Sequence, residues 1–154
     1  MNEIKGNFWD VYLNYDAVCC TTNMVVKSNG ELVMGKGIAK DFNERFPGLA
    51  KQWGERTQEI IDGKMPTNII VSGFFLEPCR VSFPTKHHWK DKSDIKLIER
   101  SAGLLYAISQ AIGWKKILVP RPGCSNGGLN WEKDVKPILE KVFDDRFDVI
   151  TNEV

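Results

Sequence analysis

A short segment of the sequence carries two glycines, Gly35 and Gly37, one residue apart and directly before a helical pattern. Glycine has no Cβ, so the main chain can adopt unusual angles there and a ligand can approach it closely. Ile38, Phe42 and Phe46 then recur at every fourth position, which predicts an amphipathic helix. Exposed N–H groups at such a helix N-terminus bind phosphate well. The segment alone does not distinguish a phosphate-binding loop from a tight turn.

A second glycine-rich segment spans residues 120–130, where Gly123, Gly127 and Gly128 follow a short apolar run. The first loop is not the dinucleotide-binding fingerprint, because Lys40 stands where its third glycine belongs, and it is not a P-loop. Both loops join a predicted strand to a predicted helix, where open α/β sheets bind their ligands. Two such loops suggest a ligand with two phosphates, or with a phosphate and a sugar, held from both sides.

Apolar runs and helical patterns alternate along the chain, which predicts an α/β fold in one domain of residues 1–154. The run from 16 to 23 is apolar almost to its end, as expected for a strand buried on both faces. The predicted strands are a short one within residues 4–10 that ends in a turn at Gly6-Asn7, and then 16–23, 67–75, 80–83, 115–120 and 147–151. The predicted helices are 38–46, 49–63, 94–112 and one that begins near residue 134.

Finer expectations concern the ends and faces of these elements. The alternation in residues 80–83 predicts a strand with one face in water. Ser93 can cap the following helix, with Asp94 at its first position. Asp134 can cap the last helix, because Pro137 then lies in the first turn, where a missing N–H costs little. The long helix should end at Gly113, and its inward-facing residues should include Ile98, Leu105, Ile108 and Ile112.

The composition is that of an ordinary globular domain, with 42% hydrophobic and 27% charged residues and a net charge of +1. So small a net charge gives no general attraction to nucleic acid or to an anionic membrane, and such contacts need a local patch. No apolar run is long enough to cross a bilayer and no signal-peptide pattern occurs, so we expect a cytoplasmic monomer. Cys19, Cys20, Cys79 and Cys124 show no metal-binding spacing, so we expect reduced thiols, no metal and no cofactor.

Five segments, in their order along nearly the whole chain, resemble those of macro domains. They are Gly6-Asn7-Phe8, Thr22-Asn23, Met34-Gly35-Lys36-Gly37-Ile38-Ala39, Phe83-Pro84-Thr85-Lys86 and the segment from Pro122 to Trp131. More narrowly, they are similar to the branch that holds the terminal ADP-ribose glycohydrolases and the DarG antitoxins, which remove ADP-ribose from DNA bases. The resemblance implies a three-layer α/β/α sandwich with a mixed central sheet, and ADP-ribose bound in a cleft at its crest.

The resemblance also implies a role for each matching position. Asn7 and Phe8 would lie near the adenine, although most macro domains have Asp where Asn7 stands. Lys86 and Asn23 would be the catalytic residues, with Asn23 positioning the distal ribose and Thr22 beside it. The residues expected around the distal ribose and the phosphates are Met34, Gly35, Lys36, Gly37, Ile38 and Ala39 in the first loop and Pro120, Arg121, Gly123, Cys124, Ser125, Asn126, Gly127, Gly128 and Leu129 in the second.

A lysine beside an anomeric carbon can attack it, or its ring-opened aldehyde, which makes Lys86 chemically apt. Without the resemblance, Lys86 would be interpreted as a solvated charge in a loop that also holds His87. The glycohydrolases that act on protein carboxylates carry an acidic residue where Gly127 stands, so the sequence favours a DNA-directed enzyme. Whether Lys86 forms a covalent adduct or acts as a base stays open.

The loop after Lys86 is basic and contains one large aromatic side chain. Such a loop can follow a nucleic-acid strand and stack a base, so we expect Trp89, Lys90 and Lys92 to contact single-stranded DNA. The alternative is that Trp89 packs against the following helix.

The sequence thus predicts a hydrolase that releases ADP-ribose from a modified macromolecule, with ADP-ribosylated DNA as the leading substrate. Two alternatives would use the same cleft. One is a phosphatase that acts on ADP-ribose 1''-phosphate, and the other is a non-catalytic reader that needs both glycine loops but not Lys86. A nucleophile pair of Cys124 with His87 or His88 is a further arrangement, but no third, orienting residue is evident.

Overall fold

A computed structural model describes residues 1–74 and 78–152. Its strands are β1 (Asn2–Lys5), β2 (Ala17–Thr22), β3 (Ile70–Ser72), β4 (Cys79–Pro84), β5 (Ile117–Pro120) and β6 (Phe147–Thr151). They form one six-stranded sheet in the order β1-β6-β5-β2-β4-β3. The sheet is mixed, because β3 pairs antiparallel with β4 while every other pair is parallel.

Five α-helices cover the two faces of the sheet. They are α1 (Phe8–Val11), which a 3₁₀ turn (Tyr12–Asn14) extends, α2 (Gly37–Arg45), α3 (Leu49–Ile61), α4 (Ile95–Ile112) and α5 (Lys136–Val142), which a π-helical turn (Trp131–Val135) precedes. Buried residues of α1, α2 and α3 pack in one cluster, and buried residues of α4 and α5 pack in the other. The predicted three-layer α/β/α sandwich with a mixed central sheet is therefore confirmed.

Strand β2 shows why both faces of the sheet are apolar. Successive side chains of a strand point to opposite faces, and Cys19 belongs to the core cluster on the α4 side while Cys20 belongs to the one on the α2 side. Both thiols are fully buried and free. The prediction that residues 16–23 form a strand buried on both faces is confirmed.

The ends of several elements differ from the sequence-based expectation. The turn predicted at Gly6 and Asn7 does follow β1, which ends at Lys5, but the helix α1 that comes next was not predicted. The Asn7 side chain caps this helix by accepting a hydrogen bond from the Trp9 N–H at 2.9 Å. The strand predicted for residues 67–75 is shorter, because β3 covers only Ile70–Ser72 and residue 75 lies outside the described residues.

The expectation that residues 80–83 have one face in water was wrong. Ser82 is 1% exposed, and its hydroxyl lies 2.8 Å from that of Thr22. Ser82 lies opposite Cys20 and Ile70, which pack in the cluster on the α2 and α3 side, while Val81 and Phe83 pack in the cluster on the α4 side. Helices therefore cover both faces of β4, and a polar residue on it finds a partner inside the sheet.

Two helix caps and one inward-facing residue also need correction. Asp94, not Ser93, caps α4, because its carboxylate accepts hydrogen bonds from the first turn while Ser93 is buried. Asp134 does not cap α5, since it lies in the π-helical turn and accepts a hydrogen bond from the Asn130 N–H at 2.8 Å. Ile112 is 44% exposed because it lies in the last turn of α4.

Within residues 1–74 and 78–152, no helix combines the length and the apolar composition that a membrane crossing needs.

Candidate functional site

A cleft of about 1210 Å³ opens where the parallel strands β6, β5, β2 and β4 end. Parallel strands place their carboxyl ends at one edge of a sheet, and open α/β sheets bind ligands there. Most residues predicted for the site line this cleft. They are Phe8, Thr22, Asn23, Gly35, Lys36, Gly37, Ile38, Ala39, Lys86, Trp89, Lys90, Pro120, Arg121, Gly123, Cys124, Ser125, Asn126, Gly127 and Leu129.

Four residues predicted for the site do not belong to the cleft wall: Asn7, Met34, Lys92 and Gly128. The Oδ1 atom of Asn7 caps α1, and Asn7 lines a smaller cavity that shares Asn152 with the cleft. Met34 is 4% exposed and packs into the core on the α2 side of the sheet. Lys92 and Gly128 are exposed outside the cleft, on the two loops that follow β4 and β5.

The first glycine loop leads into α2, and the N-terminus of this helix lies in the cleft wall. Lys36 precedes the helix in an extended conformation, and no side chain caps the free N–H groups of its first turn. Gly37 has a φ of 60°, a backbone conformation that residues other than glycine rarely adopt. The uncapped N–H groups and the helix dipole together make this end of α2 suitable for an anion.

The second glycine loop closes on itself opposite the first. The Leu129 N–H donates to the Gly123 carbonyl at 2.9 Å, which holds the loop as a compact ring. A Cβ at Gly37 would lie 3.2 Å from Asn126 Nδ2, so the two loops approach each other across the cleft. A ligand between them would be held from both sides, as the sequence predicted.

Lys86 lies directly after β4, on a backbone that is fixed before and after it. The Thr85 N–H donates to the Thr22 carbonyl at 3.0 Å, and the Asp94 N–H donates to the Thr85 carbonyl at 2.8 Å. The Met24 N–H donates to the His87 carbonyl at 3.2 Å. The half-buried side chain of Lys86 takes part in none of the ion pairs between described residues.

Asn23 follows β2 beside Lys86 and is 8% exposed. Its Nδ2 donates to the Val33 carbonyl at 3.0 Å, and its Oδ1 accepts from the Val25 N–H at 2.9 Å. Asn23 therefore braces the first glycine loop against the end of β2. Its amide retains one N–H and one lone pair for a ligand.

Charge in the cleft is unequally divided. The cationic side chains in its wall are Lys36, Lys40, Lys86, Lys90 and Arg121, whereas Asp41 is the single carboxylate there among the described residues. The guanidinium of Arg121 lies 4.7 Å above the Trp131 ring, and its Nη2 is 3.5 Å from the Glu3 carboxylate. Hydrogen bonds from Lys136 and Trp131 lower the pKa of Glu3, which keeps that carboxylate charged. The cleft is thus suited to an anionic ligand.

Sequence reasoning missed eleven residues of the cleft wall: Thr21, Val33, Lys40, Asp41, Thr85, Ser93, Asn130, Trp131, Ile150, Thr151 and Asn152. Most are neighbours in sequence of predicted residues and could have been found by extending each segment. The three at the end of β6 have no motif of their own. Only the pairing of β6 between β1 and β5 places them in the cleft.

The described residues hold no group of three or more His, Cys, Asp and Glu side chains arranged to bind a metal ion. His87 and His88 instead make local contacts, with Asp94 Oδ2 at 3.5 Å and with the Lys90 N–H at 3.1 Å.

No family model matches the chain. Curated relatives are nevertheless found. The DNA ADP-ribosyl glycohydrolase of Mycobacterium tuberculosis is 33% identical over 120 residues, which are 76% of this chain and 33% of that protein. The DNA ADP-ribosyl glycohydrolase of Thermus aquaticus is 30% identical over 140 residues, or 89% of this chain and 36% of that protein. The chain thus spans about a third of the length of the curated relatives it matches.

Solved structures agree with the fold over the whole chain. The macrodomain of Mycobacterium tuberculosis DarG superposes with a TM-score of 0.77 at 26% identity, covering 99% of this chain and 97% of that one. The macrodomain of Thermus aquaticus DarG gives a TM-score of 0.76 at 28% identity, with the same coverage. The chain is therefore a macrodomain, and the macrodomains it resembles include those of DarG proteins.

Proposed function

We propose that this macrodomain binds ADP-ribose in its cleft and hydrolytically removes it from modified DNA. The observation that carries the proposal is the position of Lys86 and Asn23 side by side, at the end of a cationic cleft that also holds an uncapped helix N-terminus. The N-terminus of α2 suits the phosphates of ADP-ribose, and Lys86 suits the sugar that reacts. The similarity to DNA ADP-ribosyl glycohydrolases supports the DNA-directed reaction.

Lys86 is the group that we assign to the chemical step. Its amine forms a bond to the anomeric carbon while the bond from that carbon to the DNA base breaks and the base takes a proton. Water then cleaves the adduct, releasing ADP-ribose and restoring the amine. The fixed backbone on both sides of Lys86 supports this role, because nucleophilic catalysis requires a reacting group held in position.

The decisive experiment incubates the protein with an ADP-ribosylated single-stranded oligonucleotide and follows release of ADP-ribose by mass spectrometry. We expect release by the wild type and none by Lys86→Ala, while both still bind ADP-ribose. Lys96→Ala is the matched control, because Lys96 is an exposed lysine on α4 outside the cleft wall. Binding without release by the wild type would contradict the proposal and leave the reader or the phosphatase, to be tested with ADP-ribose 1''-phosphate.

Trp89 is our candidate for contact with the DNA strand. Its ring is 42% exposed at the rim of the cleft, stacked on His88 with a centroid distance of 5.4 Å. Lys90 Nζ lies 5.0 Å from the same ring. An exposed ring beside a lysine is suited to stacking a base next to a backbone phosphate.

Trp89→Ala should lower the rate of release from the oligonucleotide about tenfold, since stacking of a base on an aromatic side chain contributes roughly 1–3 kcal/mol. Affinity for free ADP-ribose should change little, and titration calorimetry measures it. Ile112→Ala, a comparable truncation of an exposed apolar side chain outside the cleft, should change neither quantity. Equal losses in both measurements would show that Trp89 does not contact DNA.

A further inference from the structure

Two polar residues outside the cleft wall are buried behind the segment that carries Lys86. Asn68 is 3% exposed, and Ser101, on α4, is 0% exposed. Asn68 Nδ2 donates to Ser101 Oγ at 2.9 Å, and Ser101 Oγ donates to the Pro84 carbonyl at 2.8 Å. These three groups form a buried network that ends two residues before Lys86, because Pro84 is the last residue of β4.

The direction of both hydrogen bonds in the buried network follows from the chemistry of the groups. A carbonyl can only accept, so the single hydroxyl proton of Ser101 is used on the Pro84 carbonyl. Ser101 Oγ must then accept, and Nδ2 is the only atom of the Asn68 amide that can donate. The Oδ1 atom of Asn68 consequently points elsewhere, and it is buried without a hydrogen-bond partner among the described residues.

The buried network is costly for the stability of the fold. A buried acceptor without a partner loses its hydration and gains nothing in return. Serine has a lower helix propensity than alanine, and the Ser101 hydroxyl donates its hydrogen bond outside its own helix. Apolar side chains at positions 68 and 101 would avoid both costs. Stability alone therefore does not explain the buried network, and polar groups kept at such a cost are typical of functional sites.

What the buried network does is hold the peptide group between Pro84 and Thr85. The N–H of this group donates to the Thr22 carbonyl at the end of β2 at 3.0 Å, and its carbonyl accepts from Ser101 on α4. A peptide group is planar, so a hydrogen bond at each end fixes its orientation. Lys86 follows directly, and the main chain that leads into it is thus tied to a strand through one atom and to a helix through another.

We propose that Asn68 and Ser101 are positioning residues that hold Lys86 in place for its reaction in the cleft. The inference rests on the proposed function, because Lys86 is the reacting group there. Nucleophilic attack requires the amine to approach the anomeric carbon in one geometry, and a displacement of about 1 Å can lower the rate about 100-fold. Since neither residue lines the cleft, their loss should lower the rate of release without weakening the binding of ADP-ribose.

The test uses Ser101→Ala, which removes only the hydroxyl that bonds to Pro84. The first-order rate of release from an ADP-ribosylated oligonucleotide, measured with protein in excess, should fall about tenfold or more. Affinity for ADP-ribose, measured by titration calorimetry, should stay within about twofold of the wild type, because the lost interaction acts on the chemical step. Asn68→Ala should lower the rate to a smaller extent, because the serine hydroxyl then keeps its bond to Pro84 but loses the donor that orients it.

Ser109→Ala is the matched control for Ser101→Ala. Ser109 is also a 0% exposed serine of α4, but its hydroxyl donates to the Tyr106 carbonyl within the same helix at 2.7 Å. Both substitutions remove one buried hydroxyl, so they should have similar effects on stability, which thermal unfolding measures. Only Ser101→Ala should slow release.

Amide hydrogen exchange of the unliganded protein gives a readout that does not depend on hydrolysis. Exchange at residues 85–87 should be faster in Ser101→Ala than in the wild type and unchanged in Ser109→Ala. Equal slowing of release by both serine variants overturns the inference, and so does faster exchange in Ser101→Ala without slower release. Absence of release by the wild type contradicts the proposed hydrolase, whereas faster exchange confined to Ser101→Ala still supports the hold of the buried network on Lys86.

Discussion

At the scale of single residues, Cys124 shows how burial can lower the reactivity of a thiol that lies in a cleft. Its thiol donates a hydrogen bond to the Pro122 carbonyl at 3.4 Å, within the second glycine loop. Burial raises the pKa of this thiol from 9.0 to about 11. His87 and His88 do not line the cleft and contact Asp94 and the Lys90 N–H, and no contact between either of them and Cys124 is found among the described residues. The geometry gives no support to a Cys–His pair.

We therefore predict that Cys124 reacts slowly with iodoacetamide. At pH 8 a thiol with a pKa of about 11 is ionised in roughly one molecule in a thousand, against about one in ten for a pKa of 9.0. The labelling rate, followed by mass spectrometry, should keep rising with pH up to about 11. A plateau below about pH 9 would contradict the raised pKa. Cys124→Ser should retain release of ADP-ribose, because the thiol takes no part in the proposed reaction.

At the scale of elements, α3 packs against the loop between β2 and α2 so closely that one residue of the helix must be glycine. The Leu32 N–H donates to the Ala50 carbonyl at 2.8 Å, which holds this loop on the helix. A Cβ at Gly54 would overlap the Gly30 carbonyl oxygen and lie 2.7 Å from the Leu32 nitrogen. Gly103 in α4 differs, since a Cβ there would meet nothing within 4 Å.

The same substitution should consequently have opposite effects in the two helices. Gly54→Ala should lower the free energy of unfolding by about 2–3 kcal/mol, because the backbone of the loop must move. Gly103→Ala should raise it by up to about 1 kcal/mol, because alanine favours the helix without a new clash. Urea denaturation measures both. Stabilisation by Gly54→Ala would show that the loop is not held against α3.

The elements also show which parts of the fold local sequence encodes. The apolar run of β2 and the glycine that ends α4 were predicted correctly, because burial on both faces and the left-handed C-terminal turn leave local signals. The short helix α1 was not predicted, and neither was the pairing of β1 with β6, which joins residues nearly 150 positions apart. The extra turn at Trp131–Val135 has no signal that we can identify.

The candidate site likewise contains residues that local motifs mark and residues that only the assembled fold brings to the cleft. Both glycine loops and the lysine after β4 carry their chemistry in short motifs, and all three line the same cleft. Asp41 was missed because its position as the one carboxylate among the described residues of a cationic cleft wall is a property of the assembled cleft. Asn7 was predicted near the adenine; its Oδ1 caps α1, and the residue lines a smaller cavity next to the cleft.

At the scale of the whole molecule, the chain order of the strands differs from their order in the sheet. The strands that end at the cleft are β2, β4, β5 and β6, and the sheet places them side by side as β6-β5-β2-β4. Four segments far apart in sequence therefore meet along one edge. A ligand that fills the cleft must contact all of them, together with the start of α2.

This arrangement predicts a pattern of amide hydrogen exchange on binding ADP-ribose. Exchange should slow at residues 21–23, 37–41, 85–90, 121–129 and 150–152, because a ligand that stabilises the bound form suppresses local opening of the segments it contacts. Exchange in α3 and β3, which contribute nothing to the cleft wall, should not change.

AMP provides the control, because it lacks the distal ribose. It should slow exchange at residues 37–41 and 150–152 but leave residues 85–90 at the unliganded rate. Protection by ADP-ribose at only one end of the cleft would contradict a ligand that spans four strands. Protection of residues 85–90 by AMP would place the nucleoside beside Lys86 and reverse the orientation on which the role of Lys86 depends.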